Sequence, residues 1–345
     1  MSMNKKNILI TGVTGAVGSE LLRKLYKNTD GFCTTVLVRK SWKNKRFLKK
    51  FQGLNVVYGD LRNYNEIVAA CSGQDYAIHL AAVIPPRAEY FPTEAEKVNV
   101  GGTKNLVRAL EEHSPNVFLI YSSSVAIYGD RLNTPDIAAT DIPKSCPWDA
   151  YSQTKIAAEK IIRNSNLNWS IYRLSAIMGI GNHKVSKIMF HMPLETTMEI
   201  TTIRDTARAF VNSIGKEDQL SKTIFNLGGG ESCRISYLEF MTRAFDCYGM
   251  GGVNFPEYAF AMQNYHCGSY VDGHILEDII HFRQDNIDSY FVRFGDAVPR
   301  IQRFFTTLVS KPIKWFLLMS SEPYRAHKKQ DREMIGRFFG DEYHL

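Results

Sequence analysis

The chain has 345 residues, of which 44% are hydrophobic and 22% charged, with a formal net charge of +7. This suits a globular protein with a sizeable core, most simply a main domain and a smaller one, and excludes extensive disorder. The charge excess is local: seven Lys or Arg fall between Arg39 and Lys50 with no acid among them, and the tail from Arg300 carries nine bases against five acids. The six cysteines (Cys33, Cys71, Cys146, Cys233, Cys247, Cys267) are scattered with no Cys-x-x-Cys pair, which fits reduced thiols better than a disulfide framework or a zinc site. Met1 to Lys6 leads straight into a strand with no apolar leader, and Trp315 to Met319 is far shorter than the roughly 20 apolar residues a bilayer span needs. The expectation is a cytoplasmic protein with no integral membrane segment and no nucleic-acid partner.

Asn7 to Ile10 reads as a buried strand stopped by Thr11-Gly12, followed by a helix through Ser19 to Leu25. Further strands are predicted at Thr34–Val38, Asn55–Tyr58, Tyr76–Leu80, Val117–Tyr121 and Trp169–Arg173. Between them, helices are predicted at Tyr64–Ala70, Glu94–Glu112 and Tyr151–Arg163. Short apolar strands alternating with helices predict an α/β fold, a Rossmann-type doubly wound parallel sheet. Residues 1–173 are assigned to this domain, with 200–230 returning to it. That return holds a helix at Asp205–Ile214 and a strand at Thr223–Leu227. Residues 174–199 and 231–345 form a smaller C-terminal substrate-binding lobe and tail, with helices at Ser236–Tyr248 and Asp296–Val309 and no clear period between them. The aromatic clusters of the tail (Phe304-Phe305, Trp315 to Leu318, Phe338-Phe339) are expected to bury against this lobe. A lid, a dimer surface and a peripheral membrane contact are the alternatives.

Gly12, Gly15 and Gly18 stand in the segment Thr11 to Gly18, where strand one turns into helix one. The first glycine permits the tight turn. The second lets backbone approach a pyrophosphate, and the third lets helix pack on strand. Thr14, Gly15, Ala16 and Val17 would then offer the helix N-terminus to phosphates. No Lys-Ser/Thr follows the last glycine, so this is not a P-loop. Strand two ends in Val38-Arg39-Lys40, and no acid follows before Asp60. Arg39 therefore points to the 2′-phosphate of NADP, with NAD as the alternative. No His/Cys/Asp/Glu group has metal-ligand spacing, so no metal is predicted.

At these residues the sequence resembles the extended short-chain dehydrogenase/reductase family, the epimerase/dehydratase type. The resemblance runs from Asn7 to about Gly230. It includes Gly59-Asp60-Leu61, His79-Leu80-Ala81-Ala82, Asn99 to Thr103, Ser122-Ser123-Ser124, Ile127-Tyr128-Gly129, Tyr151-Ser152-Gln153-Thr154-Lys155 and Asn226 to Gly230. It implies that Asp60 and Leu61 flank the adenine and that Leu80, Ala81, Ala82 and Ser122 lie along the cofactor. It also implies that Asn99 begins a helix steadying the site, and that helices 94–112 and 151–163 pair across a two-fold axis in a homodimer. His79 is read as core.

Tyr-x-x-x-Lys occurs twice, at Tyr151/Lys155 and Tyr324/Lys328, when about one match is expected by chance. Only the first follows a strand ending in serines. Four residues apart on a helix, Tyr151 and Lys155 share a face, where an ammonium beside a phenol favours phenolate. Tyr151 would then exchange a proton with a substrate oxygen during hydride transfer, and Lys155 would hold the nicotinamide ribose. Ser124, by alignment of Ile127-Tyr128-Gly129 with the family pattern, or else Ser123, would orient the substrate. Val125 and Ala126 replace the carboxyls that dehydratases of this family carry there, which argues against dehydration. Arg173-Leu174-Ser175-Ala176 and Glu199 to Asp205 depart from nucleotide-sugar members. An NADP-preferring alcohol dehydrogenase/ketone reductase is expected, with a nucleotide-sugar epimerase or a non-catalytic redox sensor or scaffold as the alternatives.

Overall fold

The structure is a computed structural model that describes residues 5–27, 31–181 and 187–340. Its strands are β1 (Lys6–Thr11), β2 (Phe32–Val38), β3 (Asn55–Tyr58), β4 (Tyr76–His79), β5 (Phe118–Ser124), β6 (Asp136–Ile137), β7 (Asn168–Leu174), β8 (Ala176–Met178), β9 (Thr197–Thr202), β10 (Thr223–Leu227), β11 (Arg234–Ser236) and β12 (Ser269–Tyr270). Seven of them form one parallel sheet in the order β10-β7-β5-β4-β1-β2-β3. The predicted Rossmann-type sheet is present. Its central strands are buried on both faces, which is why they read as unbroken apolar runs rather than alternating ones. One face packs Ile8, Ile10, Val36 and Ile78 against Leu21, Leu22 and Leu25 of helix Ala16–Tyr26. The other packs Leu9, Leu37, Ala77 and Leu119 against Leu106, Leu110, Ala158 and Ile162 of helices Gly102–His113 and Ala150–Arg163. Chain order reverses between β1 and β4, so the ends of those strands flank the crevice where such sheets bind ligands.

Past β7 the chain leaves and re-enters this sheet. Helix Ile203–Asn212 and β10 return to it, with Ala207, Phe210, Phe225 and Leu227 in its core, and Leu276, Ile280 and Phe282 join them. A second core of Phe190, Met198, Ile200, Phe240, Phe245, Phe260 and Phe291 lies under the small sheet β11-β9-β8.

Three expectations need correction, and one helix had not been predicted. The helix predicted at 296–309 is two helices, Ile287–Ala297 and Arg300–Leu308. Val298 between them is extended, as a residue before proline prefers, and Pro299 starts the second. Asn99 does not begin a helix. It lies in a π-helical turn, Glu96–Gly101, within continuous helical backbone from Pro92 to His113. Trp42–Leu48 is helical, capped by the Ser41 hydroxyl, although no apolar stripe announced it. In the tail, Phe338 and Phe339 are buried and Leu317 and Leu318 partly so, but Phe304, Phe305, Trp315 and Phe316 are exposed.

Candidate active site

Gly12 takes φ +75°, and a Cβ there would stand 2.6 Å from the Ala81 backbone nitrogen. At Gly18 a Cβ would stand 2.3 Å from the Gly12 carbonyl oxygen. Both glycines are therefore required by close backbone approach, one to the β4 exit and one within the turn. Helix Ala16–Tyr26 begins at Gly15 with no side-chain cap and no acid in its first turn. Its first N–H groups and positive dipole end stay available to an anion, with Thr14, Gly15 and Ala16 exposed beside them. Leu80, Ala81 and Ala82 follow β4 half-buried, and Ala81 N–H donates to the Thr11 hydroxyl at 3.3 Å. His79 is enclosed between the Thr11 and Thr103 hydroxyls at 2.6 and 3.0 Å. Burial, with Lys155 adding to it, pushes the imidazole down to about 3. His79 is therefore a neutral core residue.

At the far end of the crevice Arg39 is exposed just past β2 and forms no ion pair among the described residues. The Asp60 carboxylate is taken by Arg62, with Nε at 2.9 Å and Nη2 at 2.6 Å. That bond holds Asp60 below its ordinary range, and the Arg39 charge adds to the effect. Sequence reasoning missed Arg62, which occupies the Asp60 carboxylate. Leu61 is buried against Gly102. Asn99 bonds both backbone groups of Val83 (2.7 and 2.9 Å) and the Thr154 hydroxyl (3.0 Å), tying the β4 exit to the helix that carries Tyr151.

Ser124, Tyr151 and Lys155 come together where β5 meets helix Ala150–Arg163. Ser124 ends β5, and its hydroxyl accepts from Ala126 N–H at 3.2 Å. Tyr151 is buried against Val83, Ala88, Ala95 and Ala126. Burial raises its phenol, and the Ser124 hydroxyl acts in the opposite sense by hydrogen bonding to it. Lys155 is 2% exposed and donates to the Ser122 carbonyl at 2.7 Å, with its Nζ 4.7 Å above the Tyr121 ring and 5.8 Å from the Tyr151 ring. Burial pushes Lys155 down to about 7, against the pull of Glu159. The Ser122 hydroxyl turns away to the His79 carbonyl at 3.1 Å. Ser123 is buried behind them. The pair Tyr324/Lys328 lies on the separate helix Glu322–Lys329.

Two supports were missed in the sequence. Arg173 and Glu159 form a buried bidentate pair at 3.1 and 2.8 Å, and Arg173 also donates to the Tyr128 hydroxyl at 2.8 Å. Tyr128 donates to Asn226 at 2.6 Å, which joins β7, β10 and the Tyr151 helix behind the site. Asp149 caps that helix through Ser152 N–H at 2.9 Å, and His266 Nδ1 lies 2.8 Å from its other oxygen. Burial raises Asp149, but His266 and Ser152 outweigh it and keep the carboxyl low. The cap borders a small cleft lined by Glu89, Trp148, His191, Gln263 and Arg337. Such long-range pairs leave no periodic trace in sequence; the acid three residues before Ser152 was the only local signal.

A family profile described as NAD dependent epimerase/dehydratase family matches residues 8–228. A UDP-glucose 4-epimerase of Rickettsia bellii (strain RML369-C) is 33% identical over 129 residues, 36% of this chain and 38% of that protein. A 3 beta-hydroxysteroid dehydrogenase/Delta 5-->4-isomerase of Mycobacterium tuberculosis (strain ATCC 25618 / H37Rv) is 28% identical over 221 residues, 58% of this chain and 55% of its own. The chain thus spans between 38% and 55% of the length of these two relatives. Among solved structures, a UDP-glucuronic acid 4-epimerase from Bacillus cereus in complex with UDP-glucuronic acid and NAD matches with a TM-score of 0.70. That likeness, at 18% identity over 84% of this chain and 98% of the other, is one of fold. The glycine turn, the seven-stranded sheet and a profile match over more than half its length place this chain in the NAD-dependent epimerase/dehydratase family.

Proposed function

We propose that the chain is an NADP-preferring oxidoreductase that moves hydride between nicotinamide and a carbonyl or hydroxyl carbon. The convergence of Ser124, Tyr151 and Lys155 at the mouth of the crevice carries this reading. The turn fits a dinucleotide: Gly12 and Gly18 leave no room for side chains, and the helix start beyond them is uncapped. Thr14 to Gly18 would hold the pyrophosphate, Arg39 the 2′-phosphate, Asp60 and Leu61 the adenine, and Leu80 to Ala82, Asn99 and Ser122 the middle of the cofactor. Bound NADP supplies the hydride donor or acceptor.

In the reducing direction the Tyr151 phenol gives its proton to the carbonyl oxygen, and Ser124 orients that oxygen. Buried Lys155 would donate to the ribose hydroxyls, and its residual positive charge favours the phenolate left behind. Four arginines in the segments that follow β9 are already engaged. Arg234 bonds Glu199, Arg208 bonds Asp205, Arg283 donates to the Gly228 carbonyl at 2.9 Å and Arg293 pairs with Asp285 at 3.1 Å. That supports a substrate without a diphosphate. The Rickettsia relative favours the second reading, a nucleotide-sugar epimerase that recycles its cofactor. A homodimer through helices Gly102–His113 and Ala150–Arg163 and a cytoplasmic location accompany the first reading.

The deciding assay follows NADPH during turnover of a carbonyl panel. The reductase consumes it stoichiometrically; an isomerised sugar nucleotide with no net consumption would establish the epimerase instead. Arg39→Asp should shift the NADP/NAD affinity ratio toward NAD by roughly tenfold to a hundredfold, read from thermal shifts with each cofactor. Unchanged ratios would remove the 2′-phosphate role.

A further inference from the structure

Helices Arg300–Leu308 and Ser310–Ser320 follow one another through Val309, and neither contains a buried residue. In the first, Ile301, Phe304, Phe305 and Leu308 recur at i, i+3, i+4 and i+7, the spacing of a single helix face. In a water-soluble domain such a stripe normally faces the core. Here Ile301 is 69% exposed, Phe304 61%, Phe305 58% and Leu308 65%. The second helix seats Ile313, Leu317 and Leu318 on the aromatic core of the lobe, yet leaves Trp315 55% and Phe316 68% exposed. Apolar side chains this large and this close together mark an interaction surface rather than ordinary surface scatter.

The charge around them is one-sided. Between Asp296 and Glu322 the chain has Arg300, Arg303, Lys311 and Lys314 and no acid. None of the four forms an ion pair among the described residues, although Lys314 donates to the Gly252 carbonyl at 2.6 Å. A cavity of about 470 Å³ opens beside the second helix, lined by Met250, Phe255, Pro256, Lys311, Trp315 and Leu318. An isologous contact with a second copy would set these four cations against the same four with no acid between them. No helix among the described residues is long and apolar enough to cross a membrane, so a bilayer contact here would be interfacial.

We propose that residues 300–320 form a docking surface for an anionic lipid bilayer. The exposed Ile301, Phe304, Phe305, Leu308, Trp315 and Phe316 enter the headgroup–acyl boundary, a depth of roughly 5–10 Å, while Arg300, Arg303 and Lys311 meet lipid phosphates. The cavity beside Lys311 and Trp315 receives a headgroup or the first part of an acyl chain. Neither helix contributes to the crevice that holds Ser124, Tyr151 and Lys155, so the proposal stands independently of the reaction assigned there.

The test is flotation of the full-length protein with vesicles of phosphatidylcholine alone or with roughly a third phosphatidylglycerol, at low and high salt. Binding to the anionic vesicles, weakened by salt, is expected. Phe304→Ser/Phe316→Ser and Arg300→Gln/Lys311→Gln should each weaken it by roughly tenfold or more. Their circular dichroism and melting should stay unchanged, since the substituted side chains are exposed. A vesicle-induced blue shift of tryptophan fluorescence should vanish in Trp315→Phe. Absence of binding to anionic vesicles, or equal binding by both double variants, would overturn the proposal. So would light scattering that shows a dimer dissolved by Phe304→Ser/Phe316→Ser in a protein that ignores vesicles.

Discussion

Two opposed effects act on Tyr151: burial raises its phenol, and the Ser124 hydroxyl favours the phenolate. Tyr151→Phe should cut turnover by roughly 10²–10⁴-fold while leaving cofactor affinity within a small factor, because only the proton-transfer group is lost. Ser124→Ala removes the bond that stabilises phenolate. The acid limb of alcohol oxidation should therefore move to higher pH, which a pH–rate profile would reveal; an unmoved limb would exclude Ser124 from this role. Lys155 makes a prediction about stability. Its pKa is near 7 in the folded chain and about 10.4 in an unfolded one, so between these values the folded state binds fewer protons. Stability from this residue is fully present above the unfolded value and is lost as pH falls through the folded one. Melting of the cofactor-free protein at pH 7 and pH 10 should show a component on the order of 2–4 kcal/mol that disappears in Lys155→Met.

At the scale of elements, the site depends on how β5, β7 and the Tyr151 helix are clamped. Arg173 and Glu159 carry the clamp through side chains that are 2% and 4% exposed. Glu159→Gln leaves the guanidinium buried without its counter-charge, at a cost of roughly 3–5 kcal/mol. A urea titration should find the loss, and an Arg173→Met/Glu159→Met double variant should recover part of it. Equal loss in single and double variants would show that shape, not charge, holds these elements. The π turn at Asn99 does the same on the other side of the helix, and its irregular backbone lets one side chain reach Val83 and Thr154 together.

For the molecule as a whole, the prediction concerns its outer helices. Arg108, Glu112, Lys160 and Arg163 are exposed on helices Gly102–His113 and Ala150–Arg163, a polar surface that a homodimer would bury. Light scattering across a concentration series should give twice the chain mass, and Arg108→Glu/Lys160→Glu should return it to one. A single-chain mass in the unmodified protein at high concentration would rule the pairing out. The lipid surface of residues 300–320 is a different face with a different chemistry, apolar and cationic rather than mixed in charge.

Much of this was legible in the sequence because it is local. Strands buried on both sides read as apolar runs, and β3 and β10 have the residue bounds their runs predict. Gly12 and Gly18 announced a turn because no other residue tolerates such approach. Ser124, Tyr151 and Lys155 were readable from the serine-ended strand before their helix, which a spacing match alone could not supply when Tyr324/Lys328 repeats it. The break at Pro299 follows from a local rule that was left unapplied. Chain order, by contrast, could not show that Arg62 occupies Asp60 or that Glu159 and Arg173 lock the site. Nor could it show that an amphipathic stripe faces solvent. Period alone tells which residues share a face; only the packed structure decides what that face meets.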